Sequence, residues 1–291
     1  MSTTIYFKHL ILFRCGFVFI CCLLINQVFA QPSTLSSAEK ERISLVQTMF
    51  TKYSDHPEKL LYDPKKADQN SQSGETANPA AASLNESLKN SFTVKGGGIF
   101  NFHSKENTKG SIYLFNDWVH GIVFQNSGQE IIDSSLIYNY NKLNGDLIVT
   151  QDMQNGLTID RNLIAGFILL SSDNAVHIFT ILPSVSNTQY CEVVGIGKNC
   201  AVVELTTTNF VKANFQTDGM TSTGHDYDEY VDKNAYYVLN LSINSINKFD
   251  LKKKSIKDAF ADIPKANDFL QQHKNDEINN TFFKNLCDAT N

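Results

Sequence analysis

From residue 92 onward the apolar positions come in short runs at a spacing of two, cut by Asn, Gly, Asp and Pro. That alternation is the mark of half-buried strands joined by tight turns. It predicts strands near 98–103, 111–115, 117–124, 129–133, 135–140, 147–151, 157–160 and 163–170. Further strands follow near 175–182, 188–194, 200–205, 209–215, 235–241 and 246–251. The turns fall at 125–128, at Asn144-Gly145 and at Asn155-Gly156, where Asn-Gly supplies the positive φ of two-residue hairpin loops. The run Leu163-Ile164-Ala165-Gly166-Phe167-Ile168-Leu169-Leu170 is apolar on both faces and predicts a covered central strand. Brief connections between so many short strands argue for a mainly β chain, an antiparallel meander closed as a barrel or folded as a sandwich.

The period changes at both ends. Over 35–53, Ser36 or Ser37 can cap a helix whose Ile43, Val46, Phe50 and Tyr53 share one face. At the other end Ser255 can cap 256–261, Pro264 suits the first turn of a helix to Lys274, and Asp276 opens a last helix striped by Ile278, Phe282, Phe283 and Leu286. Residues 63–91 are polar and small, with Pro64 and Pro79, too poor in apolar surface to offset their ordering entropy. The organisation expected is an N-terminal helical segment at 31–62, a polar linker or long loop at 63–91, an antiparallel β domain at 92–251, and two or three helices packed on it at 252–291.

Residues 1–30 stand outside that plan. Lys8 and Arg14 precede the unbroken apolar run 15–25, and Val28-Phe29-Ala30 offers a cleavage site between Ala30 and Gln31. This reads as a secretory signal peptide, because eleven apolar residues fall short of the roughly 20 that span a bilayer. An uncleaved anchor is the alternative. Export to the periplasm, cell surface or medium is expected, with no stable span after cleavage. Without Lys8 and Arg14 the chain keeps 23 basic against 30 acidic residues, a formal charge of −7. A net anion has no general pull toward nucleic acid or an anionic membrane. Three cysteines remain of six: Cys191, Cys200 and Cys287.

The segment Tyr113-Leu114-Phe115-Asn116-Asp117-Trp118-Val119-His120-Gly121 resembles the opening of a group of uncharacterised exported β-rich proteins of Gram-negative bacteria. Leu136-Ile137-Tyr138-Asn139 and Asp146-Leu147-Ile148-Val149 resemble the strands that follow it there. Tyr236-Tyr237-Val238 and Leu251-Lys252-Lys253-Lys254-Ser255 resemble the group's late strand and its Lys-rich lead into C-terminal helices. Asn116 departs from the acidic residue usual at its position, and 217–228 forms a longer insert. The resemblance implies a fold and an exported, bacterial setting. It carries no substrate, cofactor or catalytic residue.

The candidate chemistry is thin. Gly96-Gly97-Gly98 leads into Ile99-Phe100, and in Gly195-Ile196-Gly197-Lys198-Asn199 the positions of the first Gly and the Ser/Thr hold Glu192 and Asn199, so neither is a phosphate loop. Asp226, Asp228 and Glu229, with His225 and Asp232 beside them, are a weak metal candidate. An EF-hand starting at Asp226 would need Gly for Val231 and Glu for Tyr237. No nucleophile elbow or zinc-protease helix occurs, and His177 and Trp118 sit in strand patterns that suit packing. If Gly195-Ile196 is a two-residue turn, Cys191 and Cys200 face each other and can form a disulfide. The expectation is a non-enzymatic binding or envelope-associated interaction module without a cofactor. Its partner would be an envelope protein. The alternative is a carrier of an apolar ligand or lipid in a barrel cavity.

Overall fold

The computed structural model describes residues 33–60, 92–93, 107–151, 153, 156–217 and 219–291. The leader with Ala30 and Gln31, the polar stretch 63–91, the glycines at 96–98 and the strand near 98–103 lie outside the described residues. So does Asn155 of the third turn. Residues Thr34–Asn291 group as one compact unit. Within it the chain is mainly β, with antiparallel ladders and flanking helices.

Helix α1 (Ser37–Tyr53) begins at a capping box: Ser36 Oγ accepts the Glu39 N–H, and Glu39 Oε2 accepts the Ser36 N–H. It buries Ile43, Val46, Met49, Phe50 and Tyr53. The strands that follow are β1 (His120–Gln125), β2 (Glu130–Ile131), β3 (Ile137–Asn141), β4 (Asp146–Thr150), β5 (Leu157–Ile159), β6 (Ile164–Leu170) and β7 (Val176–Thr180). They continue with β8 (Cys191–Ile196), β9 (Cys200–Val211), β10 (Asp228–Asn240) and β11 (Ser245–Phe249). In the large sheet the neighbours run β2-β1-β6-β7-β8-β9-β10-β11, while β3, β4 and β5 leave it to form a second, small sheet. Every residue of β6 is buried, as its two-sided apolar run requires. Among the described residues the two ends of the large sheet do not pair, so the ladder is open.

Three groups of side chains bury the sheet. On one face α1 packs Ile43, Val46 and Phe50 over Ile122, Ile168, Ile178, Val193 and Val203. On the other, the small sheet brings Tyr138, Tyr140, Leu147 and Val149 onto Val123, Phe167, Leu169 and Phe179. Phe167 and Phe179 stack at 4.9 Å, and Tyr140 and Tyr190 close around them. Further along that face Val194, Val202, Val238 and Phe249 lie under the C-terminal helices α2 (Lys253–Ala259), α3 (Ala266–Gln272) and α4 (Asn280–Ala289). Helix α4 lays Phe282, Phe283, Leu286 and Cys287 inward.

Several sequence expectations need correction. Residues 111–118 form no strand. The buried Asn139 side chain binds them instead, accepting the Phe115 N–H at 3.2 Å and donating to the carbonyls of Phe115 and Asp117. Isolated bridges pair Tyr113 with Asn141 and Val119 with Tyr138. The two strands expected at 200–205 and 209–215 are one, and the strand expected at 235–241 begins at Asp228. Ser255 lies inside α2, where its Oγ accepts the Asp250 N–H, and Asn279 rather than Asp276 caps α4.

The Cys191–Cys200 pairing is overturned. The ladder sets Glu192 opposite Glu204 and Val193 opposite Val203, and the connection runs through Gly197, Lys198 and Asn199. Gly195 is a strand residue, not a turn. A Cβ there would stand 2.7 Å from the Phe283 carbonyl oxygen, so glycine serves the close approach of α4. Cys191 is a free thiol opposite Thr180, in the core beneath α1.

Candidate functional site

Strands β9 and β10 pair without a break from Cys200↔Asn240 to Val211↔Glu229. Their outer neighbours stop early. β8 reaches only to Glu204, and β11 only to Tyr236. Beyond that level seven successive pairs, Leu205↔Ala235 to Val211↔Glu229, continue as a two-stranded arm. At about 3.3 Å per residue it extends roughly 20 Å. Near the tip Thr108-Lys109 pairs parallel to Asp228-Glu229, and the Asp228 N–H donates to the Asn107 carbonyl. The tip carries a short ladder of Gln216-Thr217 against Ser222-Thr223.

The arm exposes large apolar side chains: Phe210 is 43% exposed, Phe215 52% and Met220 96%. Phe210 meets Tyr230 across the ribbon at 5.1 Å. A tip that buries so little apolar surface does not stabilise the fold, whose core lies elsewhere.

The acidic candidates are distributed over the same arm. Asp228 Oδ1 accepts the Ala213 N–H at 2.8 Å, closing the tip, and Glu229 is the next residue along the strand, on the other face. Asp226 is exposed beside His225, whose ring stacks on Tyr227 at 4.6 Å. Lys109 Nζ sits 3.6 Å above the Tyr227 ring. Asp232 accepts from the Lys142 ammonium and from Thr208 Oγ1. Among the described residues no three His, Cys, Asp or Glu side chains are arranged to hold a metal ion.

At the base of the arm lies a row that no local sequence signal marks. The ladder places Glu192, Glu204 and Tyr236 side by side on β8, β9 and β10. His177 of β7 reaches this row, its Nδ1 2.9 Å from Glu192 Oε1. The row occupies the face of the large sheet between the small sheet and the C-terminal helices. Burial pushes the Glu204 carboxyl up from its ordinary pKa, and the Glu192 charge pushes it further, against hydrogen bonds from Tyr236 and Asn234. The Tyr236 hydroxyl is pushed up to about 12 by burial and by the Glu204 charge. Burial would lower the His177 pKa, but the hydrogen bond to Glu192 and the charges of Glu192 and Asp173 outweigh it, so it is raised.

The Asp117-Trp118-Val119-His120 stretch lines an open groove of about 490 Å³ with Leu114, Phe115 and Leu170. Trp118 is half-buried there, and Phe115 meets the His177 ring edge-on at 5.4 Å. A smaller cleft of about 130 Å³ lies between the C-terminal helices, lined by Ile256, Leu270, Ile278 and Phe282. Nothing in these arrangements indicates catalysis.

No family model, curated protein or solved structure matches the chain. The arm and its base therefore stand on their own geometry. Among the described residues no helix is long and apolar enough to cross a membrane.

Proposed function

We propose that the chain is an exported, non-enzymatic interaction module that contacts an envelope protein through the β9–β10 arm. The observation carrying this reading is a ribbon that outruns both neighbouring strands and ends in exposed Phe210, Phe215 and Met220. Such a projection offers a partner aromatic anchors together with the β9 edge at 205–211, which among the described residues has no ladder partner besides β10. Its mixed charges, Lys212 and Lys233 beside Asp226, Asp228 and Glu229, suit a protein surface better than an anionic membrane. The two layers over the aromatic core are read as a sandwich. A carrier would need an enclosed apolar cavity of about 300 Å³ or more. The cleft between the C-terminal helices falls below that, and the groove at Trp118 is open and carries Asn116, Asp117 and His120 among its lining residues.

The test replaces 213–227 by Asn-Gly, which joins Lys212 to Asp228 in the existing register through a two-residue turn. A photo-crosslinking residue at position 215 in the native host should form one discrete adduct, and the same residue at exposed position 243 should form none. Binding of the shortened protein to that captured partner should fall at least tenfold while its melting curve is kept. Unchanged binding by the shortened protein overturns the reading.

A further inference from the structure

Cys200 opens β9 and Cys287 lies on the inward face of α4, both fully buried, with their sulfurs 3.4 Å apart. We propose that Cys200 and Cys287 form a disulfide that locks the C-terminal helix onto the large sheet. This goes beyond the interaction role and does not depend on it.

Three features of the fold bring these two thiols together. Gly197 lies against α4 so closely that any Cβ there would collide with the Cys287 carbonyl oxygen. Asn199 donates its side-chain amide to the Thr290 carbonyl, and Asn291 accepts the Lys198 N–H, so the last turn of the chain is held on the β8–β9 loop. Thr290 Oγ1 donates to the Cys287 carbonyl at 2.7 Å and stands 3.4 Å from Cys200 Sγ. Closing the sulfur gap to a bond of about 2 Å then needs a small rotation of two side chains. Cys191 lies in the core on the opposite face of the sheet, which leaves Cys200 and Cys287 as the one pair among the described residues.

The oxidant is a disulfide donor, either oxidised glutathione or a protein dithiol oxidase of an oxidising compartment. Contact with the Cys287 thiol favours the Cys200 thiolate, against burial, whereas burial drives Cys287 upward. While α4 is undocked, the Cys200 thiol loses its proton to solvent, and the thiolate attacks one donor sulfur and expels the other, which takes up a proton to become a thiol. Cys287 then gives up its proton, attacks the Cys200 sulfur in the mixed disulfide and releases the second donor thiol. The protein loses two electrons and two protons, and the donor gains both. The bond would tie residues 87 positions apart, enclosing the arm, β11, α2 and α3.

The experiment incubates the full-chain protein with oxidised glutathione, blocks free thiols with N-ethylmaleimide in denaturant, and maps peptides without reduction. A peptide pair joining Cys200 to Cys287, with Cys191 alkylated, is expected. Alkylation of all three thiols, or a link through Cys191, overturns the proposal. Reductant should lower the melting temperature of the oxidised protein by roughly 5–10 °C, and equally in Cys191→Ser. In Cys287→Ser that sensitivity should vanish, and its persistence would also overturn the proposal. Peptide mapping of the unmodified sequence decides the question if that variant does not fold.

Discussion

Glu204→Gln should stabilise the protein, by an amount that grows as pH rises above the ordinary Glu range. Glu204 is 8% exposed and stands directly opposite Glu192 in the ladder. Like charges directly opposite across two strands cost up to about 1 kcal/mol, and burying a carboxylate adds to that cost. Hydrogen bonds from Tyr236 and Asn234 return part of it. Gln keeps the shape and can still accept those bonds, so a net gain of about 1 kcal/mol is expected at pH 8. For a domain of this size that raises the melting temperature by roughly 2–4 °C. The pH dependence has a definite sign. The folded-state pKa of Glu204 is raised, so the folded form binds its proton more tightly than the unfolded chain does. The penalty is absent below the ordinary Glu pKa of about 4.3, grows as pH rises, and is complete above the folded value. Urea melts of both proteins at pH 4 and pH 8 measure this directly. Equal stability changes at the two pH values, or a loss of 1 kcal/mol or more at pH 8, would refute the reasoning. A gain would mean that the fold keeps a carboxylate against its own stability, as residues serving function commonly do.

The remaining predictions concern the supports of the sheet. Glu39 is 2% exposed and its carboxylate accepts from Ser36 and from both the N–H and hydroxyl of Ser184, so Glu39→Ala should cost about 3 kcal/mol in a urea melt. Burial would raise the Glu39 pKa, but these bonds lower it, so its contribution is present above about pH 4.3 and lost as pH falls through the depressed folded value. His177 has a raised pKa, so its pairing with Glu192 stabilises below about pH 6.5 and fades as pH rises through the folded value. That loss should be absent in Glu192→Gln when melting temperatures are followed from pH 6 to pH 9. Gly195→Ala places a methyl against the α4 backbone and should cost about 1–3 kcal/mol, with faster hydrogen exchange over 280–289.

How much of this was legible in the sequence depends on whether a residue's neighbour is near in the chain. The strands β3, β4, β6, β7 and β11 fall close to their expected places, because apolar alternation is a local signal, although the β3–β4 connection takes four residues, 142–145, with only Gly145 at positive φ, rather than the two-residue Asn144-Gly145 loop. Helices α1 and α4 show the same legibility through their caps and stripes, although Asn279 displaced Asp276. The first half of β10, Asp-Glu-Tyr-Val-Asp-Lys-Asn, was not legible as strand. Both its faces are partly or fully exposed, so no alternation exists, and its extended form rests on pairing with 206–211. Gly195 misled for a related reason: glycine marks turns and close backbone approaches alike, and the approaching backbone is that of Phe283 in α4, distant in the chain.

The same distinction explains what the Tyr113–Gly121 motif does. Read locally it predicted two strands, and the structure holds 111–118 as an irregular span. Its partner is Asn139, a 0% exposed amide in a small-sheet strand, which satisfies three backbone groups of the span that a ladder would otherwise have served. The two motif pieces, Tyr113–Gly121 and Tyr138-Asn139, are therefore one structural device. Asn139, with the backbone bonds between Val119 and Tyr138 and from the Leu114 N–H to Tyr140, ties the span that enters β1 to the small sheet over Phe167 and Phe179. Phe115, clamped in that span, meets the His177 ring and so reaches the charged row at the base of the arm. Asn139→Leu should release this span, exposing the Phe115 amide to exchange before the sheet itself unfolds. If 111–118 exchanged only with global unfolding in that variant, the clamp would lie elsewhere.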